Sequence, residues 1–360
     1  MTRALDRANI QVGDAPLSNR NHLINGAFAV AQRGTSFTSS SSANNDDTYV
    51  LDRWYILSDG NDIIDVSQET STIPTNGKYA IALDVETANK KFGIAQIIEG
   101  NNCVGLIGDT ITFSFKAKVS DTSKLDNVKA AIVSWSGTED SVTSDIISAW
   151  GNEGTNPTLI TNATYENTPA NLSLTTSFAT YSVSANIDTS GAKNIIVFIW
   201  SDVTDTTAGH FLYVTDCQLE RGNTATPFEH RSYGEELTFC QRYYNRTLDD
   251  VAYGQIGGSF MRGNSDYVKG VIDHPVELRA KPAVSVIGTN AGAFTVQQGD
   301  TGLSGTIEFG SQWSSGSDKR SSWLDFEGAS SGTSGYACQI YRNNRSVGDG
   351  SGCLQFDSEL

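Results

Sequence analysis

The sequence predicts an all-β protein built around a β-sandwich, and three observations support that prediction. The 360 residues contain 34 glycines but only 25 lysines and arginines, and Ser, Thr and Asn are abundant, a composition typical of short strands joined by turns. Several segments alternate apolar and polar residues with a period of two, and no segment between them keeps a period of 3.6 over three turns. No repeat of fixed length is present, which disfavours a β-helix.

The clearest strand prediction is Thr110–Val119, "TITFSFKAKV". Ile111, Phe113 and Phe115 alternate there with Thr and Ser, which is typical of a strand with one buried face. Further strands are predicted at Tyr79–Val85, Gly93–Glu99, Ala130–Trp135, Ala179–Ile187 and Phe211–Glu220. Together these segments predict an antiparallel sandwich.

The segment Asn194–Trp200, "NIIVFIW", differs because both of its alternate sets are apolar. A strand of this kind has no face that favours water, so we expect it to be buried on both sides. The pattern therefore predicts that further chain covers the outer face of its sheet.

The chain is predicted to have four parts, because length favours more than one core and the pattern changes after Pro227. Residues 1–20 lack apolar periodicity and are expected to form an anchoring arm. Residues 21–231 are predicted to form the sandwich, 232–247 a linker helix and 248–360 a smaller β domain. The sequence "GDAPLSN" in the arm and Asn- and Gly-rich turns in the last part are typical of loops.

The linker helix is predicted from a capping box at its start, where Ser232 is followed by Glu235. Such a short helix is marginal in water, so its aromatic face is expected to pack against something. A three-fold axis offers such a partner, since identical helices and small β domains bury one another's surfaces. The residues expected at this oligomerisation face are Leu237, Cys240 and Tyr244, with Phe239 and Tyr243 beside them.

Charge and hydropathy exclude several classes of partner. The net charge of -16 repels phosphate backbones, and no clustered Lys/Arg surface is visible, so nucleic acid is not expected as a partner. The longest apolar run, Ile195 to Trp200, is too short to cross a bilayer, and the N-terminus has no apolar signal region. We therefore expect synthesis in a cytoplasm and no membrane insertion. The five cysteines have no metal-site spacing and are expected to be buried free thiols; a Cys338–Cys353 bridge is the alternative.

Four segments, read in order, resemble the C-terminal regions of bacteriophage tail fibre and related appendage proteins. They are "NHLINGAFAVAQRGTSF" (21–37), "LDRWYI" (51–56), "QLERGNTATPFEHRSYGEELTFCQRYY" (218–244) and "PVELRAKPAVSVIG" (275–288). The resemblance implies a jelly-roll sandwich like that of carbohydrate-binding modules, a homotrimeric virion protein and a role in host-surface recognition. It also implies that residues 1–20 join other virion proteins.

Within the resembling segments, Trp54 is expected in the core with Arg53 paired to a carboxylate. The four charged residues Glu220, Arg221, Glu229 and Arg231 are expected to form ion pairs at the joint between sandwich and helix.

Candidate glycan-binding residues are aromatic side chains near loops, because pyranose faces stack on rings while their hydroxyls bind planar polar groups. Trp135 and Trp150 lie near predicted loops of the sandwich, whereas Trp200 ends an apolar strand and fits the core better. In the C-terminal domain the candidates are Trp313, Trp323, Tyr336 and Tyr341. Burial of an aromatic ring in the core is the alternative for each.

No catalytic residue, cofactor or metal site is predicted. The chain has no nucleophile elbow, zinc-protease motif or phosphate-binding loop. Close acidic pairs such as Asp62 and Asp65, or Asp202 and Asp205, are expected to be solvated loop charges, although glycoside hydrolysis does use two carboxylates. The "NNDD" sequence, Asn44–Asp47, offers oxygen ligands to a Ca²⁺ ion, but its spacing does not match an EF-hand loop, so a solvated loop is expected.

Three functions are compatible with these observations. The first is a non-enzymatic virion appendage that binds a host-surface glycan or protein. The second is a structural capsid or collar fibre or decoration protein, and the third is a glycan depolymerase.

Overall fold

The computed structural model describes residues 19–39, 43–247, 254–263, 267–298, 301–313, 315–328, 334–343 and 352–360. The described residues contain 22 strands and two short helices, so the protein is all-β as predicted. They form two compact units, 1–236 with Leu360 and 237–359. The predicted arm, residues 1–20, lies almost entirely outside the described residues, and its attachment to other proteins stays a prediction.

The first unit is a jelly-roll β-sandwich of two antiparallel sheets. Its elements in chain order are β1 (Ser36–Phe37), β2 (Tyr55–Ser58), β3 (Ile64–Glu69), β4 (Ala80–Val85), β5 (Phe92–Ile98), α1 (Gly100–Cys103), β6 (Thr110–Val119), β7 (Val128–Trp135), β8 (Ile147–Ala149), β9 (Thr158–Leu159), β10 (Ala163–Tyr165), β11 (Ala179–Asn186), β12 (Asn194–Ser201) and β13 (Phe211–Arg221). One sheet has the order β1-β3-β4-β13-β6-β11 and the other β10-β7-β12-β5-β2. The strands from β4 to β7 alternate between the sheets, which places the main core between them.

Strand β6 confirms the period-two prediction. Ile111, Phe113 and Phe115 are fully buried in the core between the sheets, while Lys116 and Lys118 are only half-buried. Polar residues of β6 thus line the outer face of the six-stranded sheet.

Strand β12 is buried on both faces, as the sequence predicts. Ile195, Val197 and Ile199 enter the core between the sheets. Phe198 and Trp200 belong to a second apolar cluster on the other side of the five-stranded sheet, where their rings stack with centroids 4.6 Å apart. The chain between β7 and β10, which carries the small β8–β9 sheet, packs Val142, Ile146 and Ile147 against this side of the sheet. The outer face of the five-stranded sheet is therefore covered.

A buried ion cluster fixes this cover to the sheet. Asp202 is not a solvated charge as predicted: it is fully buried between two lysines, with its carboxylate oxygens 2.5 Å from Lys91 Nζ and 2.7 Å from Lys129 Nζ. The Lys91 ammonium also donates to the carbonyls of Asn152 at 2.7 Å and Thr155 at 3.2 Å. Since buried charges need partners, the loop after β8 and the sheet depend on one another here.

The second unit contains a closed barrel and a small sheet. Its strands are β14 (Tyr244–Arg246), β15 (Ser259–Arg262), β16 (Tyr267–Asp273), β17 (Ala283–Val286), β18 (Phe294–Gln298), β19 (Thr301–Gln312), β20 (Ser321–Glu327), β21 (Ala337–Arg342) and β22 (Leu354–Asp357). The barrel has the order β15-β16-β20-β19-β18-β21 and the sheet β14-β22-β17. Phe260, Phe294 and Phe326 meet edge to face in the barrel core.

The predicted linker helix 232–247 is too long. The observed helix, α2, covers Tyr233–Gln241, and the unit boundary falls inside it. The predicted cap is present, because Ser232 Oγ accepts a hydrogen bond from the Glu235 N–H at 3.3 Å. The helix ends early because Tyr244 pairs with Asp357 of β22, so a distant strand overrides the local helical pattern.

The predicted oligomerisation face is partly wrong for the same reason. Tyr243 and Tyr244 lie outside the helix and are 1% exposed within their own chain. Cys240 is also buried, whereas Leu237 is half-buried and Phe239 is 37% exposed. Burial of the two tyrosines is therefore achieved inside the monomer, and trimerisation stays a prediction.

Two further predictions concern cysteine and membranes. All five cysteines are buried and free, which confirms the thiol prediction, and Cys338 and Cys353 are not bridged. In the part of the chain that the structure describes, neither helix has the length and apolar character needed to span a bilayer.

We predict that Asp202→Ala lowers the free energy of unfolding of the sandwich by about 3–5 kcal/mol, because it leaves two buried ammonium groups without their carboxylate. Native-state hydrogen exchange of the β12 amides measures this loss. The control is Asp205→Ala, which removes an exposed pair with Lys124 and is expected to cost at most about 1 kcal/mol. Equal losses in the two variants would contradict the assigned role of Asp202.

Candidate functional site

The predicted sandwich aromatics do not form an exposed platform. Trp135 is 8% exposed and donates its indole N–H to the Thr138 carbonyl at 2.9 Å. Trp150 is half-buried and packs edge to face on Phe198, with ring centroids 6.0 Å apart. Both belong to the apolar cluster on the outer side of the five-stranded sheet, so the structure does not support the predicted glycan platform at Trp135, and Trp150 offers little ring surface. Trp200 is fully buried, which confirms its core assignment.

The structure brings together two of the four aromatic candidates in the second unit. Trp313 and Trp323 stack with centroids 5.6 Å apart, and each is just over one-third exposed. Lys269 lies over the Trp313 ring at 4.3 Å, and the backbone at Gly316 lies so close to Trp323 that a Cβ there would be 2.3 Å from its Cε3 atom. Lys269 and the backbone at Gly316 thus already cover part of the ring surface of this pair.

The other two candidates lie apart from that pair. Tyr336 precedes β21 and is 61% exposed, while Tyr341 lies within β21, opposite Thr295 of β18. No ring contact among the described residues joins either tyrosine to the tryptophans.

Three carboxylates, Asp62, Asp65 and Glu86, lie close enough to share a cation. The buried Asn44 donates its side-chain N–H to Asp62 at 2.8 Å and to Asp65 at 3.0 Å. Desolvation, followed by the charges of Asp65 and Asp62, raises the pKa of Glu86 to about 7. Close acidic groups are common in so acidic a chain, and this cluster alone does not assign a metal site.

A β-bulge in β13 shapes the outer face of the six-stranded sheet. Leu212 and Val214 are buried in the core, and so are Cys217 and Leu219, so the inward positions change from even to odd. The pairing with β6 shifts between Thr215 and Gln218 to accommodate the extra residue. Without the bulge, the Asp216 side chain would point into the core and Leu219 toward water.

Asp216 adopts a φ of 51° at the bulge, a left-handed conformation that Asp tolerates better than most residues. Its carboxylate turns to the outer face and pairs with Lys116 Nζ at 2.8 Å. The bulge therefore places one acid directly against one base on this face.

The N-terminal part of the sandwich pairs with the bulged half of β13. Cys217 donates its N–H to the Gly26 carbonyl at 2.8 Å, and Leu219 accepts from the His22 N–H at 2.9 Å. Asn21 donates to the Cys217 carbonyl at 3.0 Å. A Cβ on Gly26 would lie 2.1 Å from the Cys217 oxygen, so only glycine permits this approach.

The two acids of the predicted ion pairs accept hydrogen bonds from backbone and neutral groups, whereas the two arginines pair with other acids. Glu220 accepts from Thr226, and Glu229 accepts from the Asn21 N–H at 3.0 Å. Although burial opposes ionisation, hydrogen bonds from three backbone N–H groups hold the pKa of Glu229 below its usual value. Arg231 pairs with Glu236 at 3.4 Å.

Arg221 and Arg53 are the other two arginines with a predicted ion pair, and their partners differ. Arg221 pairs with Asp109 at 2.9 Å, so its ion pair is made within the sandwich. Arg53 is buried and donates to the Ile97 carbonyl, while Trp54 is fully buried as expected.

Three adjoining cavities cross the outer face of the six-stranded sheet, and we call them together the sheet groove. The first, about 540 Å³, is lined by residues 72–75 and 176–180 with Lys116 and Lys118. The second, about 610 Å³, shares Lys116 and Thr180 with the first. The third, about 210 Å³, shares Asp216, Phe228 and His230 with the second and adds Asn25, Ala27, Ala29, Asn76, Gly77, Lys78, Tyr79, Arg231, Tyr233 and Glu236. All lining residues belong to the first unit.

Aromatic rings, cations and hydroxyls are interspersed along the sheet groove. Phe178 lines the first cavity and meets Tyr213 edge to face, with Lys118 over both rings at 5.9 and 5.4 Å. Desolvation raises the pKa of the Tyr213 hydroxyl, against the effect of its hydrogen bond with Thr72. In the third cavity Lys78 lies over Tyr79 at 5.0 Å.

The acids of the sheet groove are each held by a base. Asp216 pairs with Lys116, and Glu236 pairs with Arg231 and accepts the Asn25 N–H. Desolvation raises the pKa of Glu236, against the effect of these two partners. Residues arranged in this way can bind a polar ligand by stacking and hydrogen bonding.

None of the sheet-groove residues was a predicted ligand contact. The sequence signal that could have indicated this face is a break in the period-two alternation of "FLYVTDCQLE". The apolar residues Leu212 and Val214 occupy even positions, whereas Cys217 and Leu219 occupy odd ones. That break predicts a bulge, and bulges commonly re-aim side chains beside binding sites. The aromatic residues predicted as ligand contacts are mostly tryptophans, which pack in cores as readily as they bind sugars.

No protein-family model and no curated relative matches the chain. Similar solved structures include the enzymatically active domain of bacteriophage CBA120 tailspike protein 4, which is 13% identical with a TM-score of 0.33 and aligns over 56% of this chain and 21% of that one. They also include the CBM22-1-GH10 modules of the Clostridium thermocellum xylanase 10B, 13% identical with a TM-score of 0.35 over 66% and 32%. A family 16 carbohydrate-binding module is 14% identical with a TM-score of 0.28 over 43% and 84%. The chain thus spans about a fifth of the tailspike and a third of the xylanase.

We predict that Asp216→Val destabilises the sandwich by about 1–3 kcal/mol, because a β-branched residue is strained at positive φ. Asp216→Asn keeps that conformation and loses only a partly exposed ion pair, so its cost is expected to be at most about 1 kcal/mol. Calorimetric unfolding of both full-length variants measures the difference. If Val is tolerated as well as Asn, the left-handed bulge is not the constraint assigned to this position.

Proposed function

We propose that the chain is a non-enzymatic glycan-binding protein of a virion appendage, similar to a phage tail fibre, that acts in host-surface recognition as a homotrimer. The observation that carries the binding proposal is the contrast between the two outer faces of the sandwich. One face lies beneath the β7–β10 chain, whereas the other presents the sheet groove.

The chemistry of the sheet groove supports a carbohydrate ligand. Phe178, Tyr79 and Phe228 are half-buried rings along an elongated path, and threonine and serine hydroxyls lie between them. Sugars stack their apolar faces on such rings and exchange hydrogen bonds with neighbouring polar groups. The three cavities in a row favour an oligosaccharide rather than a single sugar.

The virion role rests on the sequence resemblance of residues 21–37, 51–56, 218–244 and 275–288 to phage tail fibre proteins. The sheet-groove residues Phe228, His230, Arg231 and Tyr233 lie inside the third of these segments. A trimer would present three such sites on one body, and weak sites linked in this way reinforce one another.

We predict that Phe178→Ala weakens glycan binding about fivefold to tenfold, the effect of removing one aromatic contact. Glycan-array binding and adsorption of the purified full chain to host cells measure the effect. The matched control is Tyr336→Ala, an exposed aromatic of the second unit, which is expected to leave binding unchanged.

Loss of binding in Tyr336→Ala but not in Phe178→Ala would place recognition in the second unit and contradict the sheet-groove assignment. Release of soluble fragments from a bound polysaccharide would replace the non-enzymatic proposal with a depolymerase. Antibody labelling of virions that shows the chain inside the capsid wall, together with no host adsorption, would favour a structural role.

A further inference from the structure

The first cavity of the sheet groove has a charge opposite to that of the whole chain. The chain carries 41 acidic and 25 basic side chains. The described residues that line this cavity include Lys116 and Lys118 and no acidic side chain. A positive cavity on an otherwise acidic protein favours an anionic ligand over a neutral or cationic one.

Lys118 is the clearer of the two cations. Its ammonium lies over Tyr213 at 5.4 Å and Phe178 at 5.9 Å, and no carboxylate of the described residues forms an ion pair with it. Ring faces attract a cation but satisfy none of its three N–H donors. A half-buried ammonium in this setting is ready to bind an incoming anion.

Lys116 provides a second cation on the same face. Residues two apart on a strand point to the same side of the sheet, with side chains about 6.7 Å apart along the strand. Lys116 is already paired with Asp216 at 2.8 Å, and it lines both the first and the second cavity. Asp216 thus partly neutralises the charge of Lys116, whereas no described carboxylate pairs with Lys118.

Hydroxyl groups of Thr75, Thr176 and Ser177 complete the cavity, and all three residues are exposed. They offer donors and acceptors to sugar hydroxyls, while Phe178 offers a ring face to the sugar body. The cavity therefore combines a contact for a sugar ring with contacts for a negative group attached to it.

We infer that the first cavity of the sheet groove binds an anionic polysaccharide, whose carboxylate, sulfate or phosphate group pairs with Lys118 and then with Lys116. This inference rests on the proposed glycan-binding function and adds the class of glycan. Carboxylated, sulfated and phosphorylated sugars share this chemistry, and the probes below separate carboxylated from sulfated ones.

The test measures binding of the full chain to five polysaccharides at 50 and 500 mM NaCl. Polygalacturonate and polysialic acid carry carboxylates, dextran sulfate carries sulfates only, and dextran and unsubstituted linear xylan are neutral. Binding to at least one anionic probe is expected to exceed binding to the neutral probes and to weaken at high salt, because salt screens exposed charges.

Lys118→Gln is expected to weaken binding of the anionic probe about tenfold, the value of one charge-assisted hydrogen bond. Asp216→Asn is expected to strengthen it, since it releases Lys116 from its internal partner. The control is Lys193→Gln, an exposed lysine outside the sheet groove, which is expected to leave binding unchanged.

The outcomes separate the two proposals. Binding of a neutral probe with the same affinity in Lys118→Gln and at both salt concentrations overturns the anionic inference and leaves the glycan-binding function intact. Equal weakening by Lys118→Gln and Lys193→Gln also overturns it, because net charge rather than the cavity would then decide binding. No binding to any polysaccharide overturns both.

Discussion

The bulge at Asp216 is the constraint on which the binding face of the sandwich depends. It changes the phase of β13 by one residue. Leu212 and Leu219 therefore both reach the core, although their spacing of seven positions would put them on opposite faces of a regular strand. The same change turns Asp216 outward to Lys116 and leaves the Cys217 backbone to bind Gly26. The six-stranded sheet, the N-terminal segment and the sheet groove therefore all depend on this one irregular residue. Without it, the side chains after Asp216 in β13 would exchange their core and surface positions.

The sandwich also shows how one sheet is closed and the other left open. Strand β12 is apolar on both sides and needs a cover, which the chain between β7 and β10 supplies and the Lys91–Asp202–Lys129 cluster holds in place. The six-stranded sheet alternates instead, so its outer face carries hydroxyls, lysines and isolated rings. The distribution of apolar residues between two strands, β12 and β6, thus decides which face of the molecule can meet a polar ligand.

Much of the fold was predictable because period-two alternation is a local property. The burial of Phe113 and Phe115, and of both sides of β12, follows directly from the sequence. The end of the helix and the closed barrel were not predictable in this way. Tyr244 leaves the helical pattern to pair with Asp357, and β15 closes the barrel by pairing with β21, both across more than 70 residues. The binding face was not predicted because its rings are phenylalanines and tyrosines rather than tryptophans. It also depends on a bulge in β13.

The most direct test of the central claim is hydrogen exchange of the full chain with and without a bound polysaccharide. If the bulged outer face of the six-stranded sheet is the binding surface, protection increases in residues 72–75, 114–118 and 176–180. Protection confined to residues 315–323 of the second unit, or to the β7–β10 cover, would contradict that claim.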